Sequence, residues 1–260
     1  GIFPPNTWSE FLEIQEKIKQ AGYTPLLMSM DVVNDWTVDI FFDQVYRSII
    51  PDMNLNSATD HAAYLGNYLD ASEISFLHSK GFFTANDPRY REVFRLLKEW
   101  RPYWNKSLAF STSTAAVDIS REFIKGRGAM MWDSCMFVQI LKNEKAVDFD
   151  WDVFYLPPMD ESNSPYATGD EFCVIGGGGT MYEVTSTAYA DTQDVKTSKR
   201  LQRVIQFLQF ITTPRINGMI VNEPKRLISN IKGVDVMPGF EPFEKILERR
   251  YTCCKWIFTF

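Results

Sequence analysis

Two short clusters carry the residue types that bind a polyhydroxylated ligand. Asn34-Asp35-Trp36 sets an amide and a carboxylate beside an indole, and Trp132-Asp133-Ser134 repeats the grouping far along the chain. An indole face packs on the apolar C–H face of a sugar ring, while neighbouring polar groups take its vicinal hydroxyls. One such tryptophan is ordinarily a core residue. Two groupings, each directly after an apolar stretch that reads as a strand, point to a binding edge. Asp35 and Asp133 are also a carboxylate pair of the kind glycoside hydrolysis uses, so a glycoside-active enzyme is the alternative reading. Asp170 and Glu171 do not form such a pair, because neighbours on a strand point to opposite faces.

Other chemistry has less in its favour. The run Gly176-Gly177-Gly178-Gly179 is followed by Thr180-Met181-Tyr182 and not by the Lys-Ser/Thr of a P-loop, and GxGxxG spacing is absent. These glycines read as a hinge, or as bare backbone that a ligand approaches closely. No GxSxG elbow is present, and His61 and His78 lie in regions with no obvious Ser or Cys partner, so acyl transfer is not expected. Of Cys135, Cys173, Cys253 and Cys254, only the first two could form an ordinary bridge, and without a CxxC no zinc site is expected. Neither a metal nor a cofactor is predicted.

The elements that must position these residues alternate between helix and strand. Thr7-Trp8-Ser9-Glu10 is a capping box, and Phe11, Leu12, Ile14 and Ile18 give the helix an apolar face that Gly22 ends. Residues 24–30 are short and apolar, which predicts a buried strand, and a helix over 36–50 follows, stopped by Pro51. A short helix near 71–80 precedes Asp87-Pro88, which caps another with Val93, Phe94, Leu97 and Trp100 inward. Helix is predicted at 114–125, buried strand at 128–132, helix at 134–142, and strand at 151–156 before Pro157-Pro158. A loop over 160–169, an apolar stretch at 172–175, a strand-like stretch at 180–184, and a helix with Leu201, Val204, Ile205, Leu208 and Ile211 at the spacing of one inward face complete the order. Thr213-Pro214 ends that helix. The alternation is that of an α/β fold.

Composition removes several function classes. The 45% hydrophobic and 23% charged fractions over 260 residues are those of a globular chain with one large domain or two lobes, so disorder is not expected. A net charge of −6 supplies no broad basic face for counterion release, so nucleic acid is not an expected partner. No uninterrupted apolar run is long enough to span a bilayer.

The order of these segments resembles the extracellular solute-binding proteins of bacterial ABC transporters, in the carbohydrate-binding family that includes maltose-binding protein. Pro5-Asn6-Thr7-Trp8-Ser9-Glu10-Phe11-Leu12 is similar to that family's P-x-T-W-x-E-[FL] helix start. Lys19-Gln20-Ala21-Gly22-Tyr23-Thr24-Pro25-Leu26 resembles its K-x-A-G-Y-T-P-L approach to a strand. Lys80-Gly81-Phe82-Phe83 with Asp87-Pro88-Arg89-Tyr90, and Phe123-Ile124-Lys125-Gly126-Arg127-Gly128-Ala129-Met130-Met131, resemble two further segments. Gly177-Gly178-Gly179, Phe210-Ile211-Thr212-Thr213-Pro214 and Val221-Asn222-Glu223 complete the order. The sequence departs at Ser134-Cys135-Met136, where the family often has a glycine, a Ser or Pro, and a sugar-stacking tryptophan. Phe137 or Trp132 would have to substitute.

The resemblance implies a periplasmic-binding-protein-like (type II) two-lobed α/β fold, each lobe a mixed sheet flanked by helices, with a sugar or oligosaccharide bound between the lobes. Residues 1–165 would be the second lobe, 166–179 the hinge crossover, 180–245 the returning part of the first lobe, and 246–260 an atypical tail. Trp36 would stack on a sugar ring, with Trp132 beside the second cluster. Asn34, Asp35 and Asp133 would pair with hydroxyls, and Ser134 and the Gly177-Gly178 backbone would add hydrogen bonds. No catalytic residue and no cofactor is implied. The implied partners are the carbohydrate and the permease subunits of an ABC importer, with membrane association only through a lipid anchor or that permease. The protein would act as a monomer at the extracellular face of the membrane or in the periplasm. The start at Gly1 and the apolar end through Cys253-Cys254 read as cut ends, with much of the first lobe expected before Gly1. A third reading makes the chain a scaffold, with Trp256-Ile257-Phe258 as a contact surface.

Overall fold

The computed structural model describes residues 4–30, 33, 37–49, 71–106, 115–172, 184–189, 191–192, 195–222, 228–229 and 231–244. The chain divides into two compact units, Gly1–Asp133 with Glu144–Gly177 and Arg249–Phe260, and Ser134–Asn143 with Gly178–Glu248.

In the first unit, helix α1 spans Trp8–Gln20. Thr7 Oγ1 accepts from the Glu10 amide at 3.2 Å, as the capping box predicts, but Glu10 Oε2 accepts from the Asn6 amide at 2.8 Å, one residue before the cap. The buried stripe is Trp8, Phe11 and Gln15, and Leu12, Ile14 and Ile18 are only half-buried flanks. Gln15 is tolerated inside because its Oε1 accepts from Trp100 Nε1 at 3.0 Å. Gly22, at φ +87°, ends the helix in a Schellman motif, with Tyr23 N–H on Ile18 O and Gly22 N–H on Lys19 O.

Strand β1, Leu26–Leu27, pairs in parallel with β2, Met130–Met131, in the register Leu26 to Met130 and Leu27 to Met131. Trp104 bridges Leu26, also in parallel. Both strands are shorter than predicted, and the 128–132 stretch is half-buried to exposed where a buried strand was expected. Gly128 permits the close pairing, since a Cβ there would lie 2.7 Å from Leu27 Cδ1. Residues 151–156, predicted as a strand, join no ladder. Phe154 and Leu156 instead pack on the core, Phe154 at 6.0 Å from the Phe11 ring, so hydrophobic burial and not pairing holds this segment.

Helix α2, Val38–Tyr46, continues as a 3₁₀ turn at Arg47–Ile49 and is buried on every side. Helix α3 spans Ala71–Ser79, and α4 spans Pro88–Trp100 with Asp87 as its cap, Oδ1 accepting from Arg89 N at 2.9 Å. The inward stripe of α4 is Val93, Leu96, Leu97 and Trp100, while Phe94, predicted inward, is 45% exposed. Helix α5, Ala115–Ile124, ends at Gly126, φ +67°, in a second Schellman motif through Arg127 N–H and Glu122 O. The core joining these elements is aromatic, with Trp100 stacked on Phe41 at 5.7 Å and edge-on to Trp8 at 5.3 Å and Trp104 at 5.5 Å.

The second unit holds α6, Met136–Asn143, α7, Lys199–Ile211, and α8, Pro214–Asn222, with 3₁₀ turns at Ser186–Tyr189, Val195–Thr197 and Glu241–Phe243. Ser198 caps α7, its Oγ accepting from Leu201 N at 3.1 Å and donating to Asp191 Oδ1 at 2.5 Å. On α7 Ile211 is buried, Leu201, Val204 and Leu208 are half-buried, and Ile205, predicted inward, is exposed.

The fold is mixed α/β. Among the described residues one two-stranded parallel sheet is present, in place of the larger mixed sheet expected in each lobe. Residues 173–183, which hold the predicted hinge glycines and a predicted strand, lie outside the described residues, as does the 246–260 tail.

Candidate functional site

Three parallel segments of the first unit end along one edge. The order is Trp104-Asn105, then β1, then β2, with Asn105 N–H on Leu26 O at 3.0 Å and Trp132 N–H on Leu27 O at 3.3 Å. Because all three run the same way, the residues that follow them (Lys106, Met28-Ser29 and Asp133) emerge together. The carboxyl edge of a parallel sheet is where α/β folds place ligands.

Trp132 is half-buried, and its ring meets Trp100 edge-on at 6.3 Å. One part of the indole is thereby fixed by the aromatic core, which pre-orders it at small entropic expense. Asp133 and Ser134 follow on the exposed surface, and Ser134 O accepts from Phe137 N at 3.0 Å as α6 begins. Phe137, considered as a substitute for the family's loop tryptophan, is buried within the second unit. Asn34, Asp35 and Trp36 lie outside the described residues, as do Gly177 and Gly178. The residues on either side of the first cluster, Val33 and Thr37, are both buried, and Val33 N–H donates to Ser29 O at 3.0 Å just past β1.

Sequence reasoning missed the third segment. Asn105 is 6% exposed, and its Oδ1 accepts from Met28 N at 2.7 Å, where a continuing ladder would use a main-chain carbonyl. The side chain thus terminates the ladder and holds the exit of β1. Asn105 Nδ2 and Trp104 Nε1 are buried donors with no partner among the described residues. The signal was present as another aromatic–amide dipeptide, Trp104-Asn105, but directly after Arg101-Pro102-Tyr103 it is too short for any strand period to mark it.

Among the described residues no group of three or more His, Cys, Asp or Glu side chains could hold a metal ion, and no helix is long and apolar enough to cross a membrane. In the second unit a separate concavity is bordered by Gln139, Asn143 and Asn222. Lys142, which also borders it, already donates to Pro238 O at 2.9 Å and lies over the Phe240 ring at 5.7 Å. The edge of the first unit therefore holds the indole, carboxylate and amide groups suited to hydroxyl recognition.

No protein-family model and no curated protein matches this sequence. Among solved structures the chain is similar to the bacterial solute receptor AcbH, whose crystal structures are described as revealing an exclusive substrate preference for β-D-galactopyranose. The TM-score is 0.55 and the identity 15%, over 97% of this chain and 55% of that one, so the chain spans about half the receptor's length. At this identity the likeness is one of fold.

Proposed function

We propose that this chain is the carbohydrate-capturing part of an extracellular solute receptor that delivers a sugar to an ABC importer permease. The observation that carries this reading is the placement of Trp132 and Asp133 at the carboxyl edge of parallel strands, in a fold like that of a sugar receptor. Trp36 stacks on the sugar ring, and Asn34, Asp35 and Asp133 pair with hydroxyls. Trp132 borders the ring, and Ser134 with the Gly177-Gly178 backbone adds hydrogen bonds. Residues 1–165 form the second lobe, 166–179 the hinge crossover and 180–245 the returning part of the first lobe. The receptor works as a monomer in the periplasm or, lipid-anchored, at the outer face of the membrane. By segment order it resembles the maltose-binding-protein-like receptors.

The test is a thermal unfolding scan of the chain alone and with D-galactose, D-glucose, maltose and longer oligosaccharides. A ligand that binds only the native state raises the midpoint by mass action, by an amount that grows with its concentration. A shift with one sugar class supports the receptor reading, and Trp36→Ala then abolishes that shift while the unliganded midpoint holds. A cooperative transition that no sugar moves counts against it. Release of reducing ends from a glycan would instead favour the enzyme that uses Asp35 and Asp133.

A further inference from the structure

We infer that Asn105 is a further ligand-binding residue of this site, its Nδ2 donating to a hydroxyl oxygen of the bound sugar. The inference rests on the receptor reading above. Three observations carry it. Asn105 sits in the third parallel segment, on the opposite side of β1 from Trp132, so the two backbones bracket the edge about 10 Å apart, two strand spacings. Its Oδ1 is committed to Met28 N–H at 2.7 Å, which fixes the amide plane and settles which end is the donor. Its Nδ2 is buried, in a residue 6% exposed, and meets no acceptor among the described residues.

A buried amide donor without a partner is expensive, and an Asn whose only task was to hold the Met28 amide could be replaced by a group that brings no orphan N–H. An alcohol oxygen of a pyranose is an acceptor of the right kind. It can take the Nδ2–H while giving its own proton to a carboxylate such as Asp133. Amide donor on one side and carboxylate acceptor on the other is complementary to a ring whose hydroxyls each donate and accept.

The experiment separates this role from a merely structural one. Affinity for D-galactose, or for whichever sugar of the panel shifts the midpoint, is measured by titration calorimetry on wild type and Asn105→Asp. The aspartate keeps an acceptor for Met28 N–H and removes the donor. The expected result is a loss of about tenfold in affinity, that of one hydrogen bond to a buried donor, measured well below both unliganded midpoints because the buried carboxylate lowers that of the variant. Monodeoxy analogues of the same sugar supply the second readout. One deoxy position should weaken binding to wild type yet cost Asn105→Asp nothing further, whereas a structural defect would lower affinity for every analogue alike.

Equal affinity in wild type and Asn105→Asp overturns the inference while leaving the receptor reading intact. Uniform losses across all analogues also overturn it and leave Asn105 as a strand-exit clamp. Wild type binding no sugar at all overturns the receptor reading and this inference with it.

Discussion

The Asp87 carboxylate holds three separate donors, and replacing it should be among the most damaging single changes in the first unit. Its Oδ2 accepts from the Tyr46 hydroxyl at 2.5 Å and from Phe83 N at 3.0 Å, and its Oδ1 accepts from Arg89 N at 2.9 Å as the cap of α4. Burial first, and the Asp87 hydrogen bond second, push the Tyr46 phenol well above its usual range, so it remains a donor throughout the accessible pH range. Phe83 is held at φ +56°, a left-handed conformation that a non-glycine residue keeps only when its neighbours fix it. In Asp87→Ala the two buried donors lose their acceptor at about 1–2 kcal/mol each and the cap is lost at about 1 kcal/mol, so about 3–5 kcal/mol in total. For a unit of this size that lowers the unfolding midpoint by about 6–20 °C. Circular dichroism melts of wild type, Asp87→Ala, Tyr46→Phe and the double variant measure it. The Tyr46→Phe loss should be about 1 kcal/mol alone and near zero once Asp87 is gone. A fall of less than about 2 °C in Asp87→Ala, or strict additivity in the double variant, refutes the reasoning.

Other outcomes follow from the same geometry. Gly128→Ala forces a methyl group into the Leu27 side chain and should destabilise the β1–β2 pair by about 1–3 kcal/mol. Leu27→Ala should recover part of that loss in the double variant, and additive urea midpoints would show that the close approach is not what Gly128 provides. Asp191 is held below the ordinary carboxylate range, chiefly by the Ser198 hydroxyl and then by the Arg200 amide. Because its folded pKa is depressed, its contribution is present above the unfolded pKa and lost as pH falls through the folded one. The stability gap between wild type and Asp191→Asn should therefore be widest above pH about 4 and close on further acidification, and a gap constant with pH would exclude this.

The helices were legible because their signals are local. Thr7, Asp87-Pro88 and Thr213-Pro214 mark ends by hydrogen bonds and φ restrictions that reach only a few residues, and α1, α4 and α7 begin or stop where those residues stand. Which face of a helix turns inward was less legible. Phe94 and Ile205 lie at a helical spacing from residues that are buried or half-buried, yet both are exposed, because a stripe about 100° wide does not fix its own centre. Only the packing of Trp100 among Trp8, Phe41 and Trp104 decides that centre for α4.

The candidate edge divides in the same way. The sequence by itself determined that Trp132-Asp133-Ser134 follows an apolar stretch and that its residue types suit a sugar. It also determined the order of segments that resembles a receptor family. Only the tertiary structure decided that β1 and β2 run parallel, so that both exits share one edge, and that Phe154 and Leu156 pack, half-buried, on the core without their segment joining a ladder. It alone brought Trp104-Asn105 alongside, 77 residues from Met28 in sequence and 2.7 Å from it in space. A hydrogen bond between segments that far apart leaves no periodic trace in either one. Strand pairing is set by partners, whereas helix ends are set by neighbours.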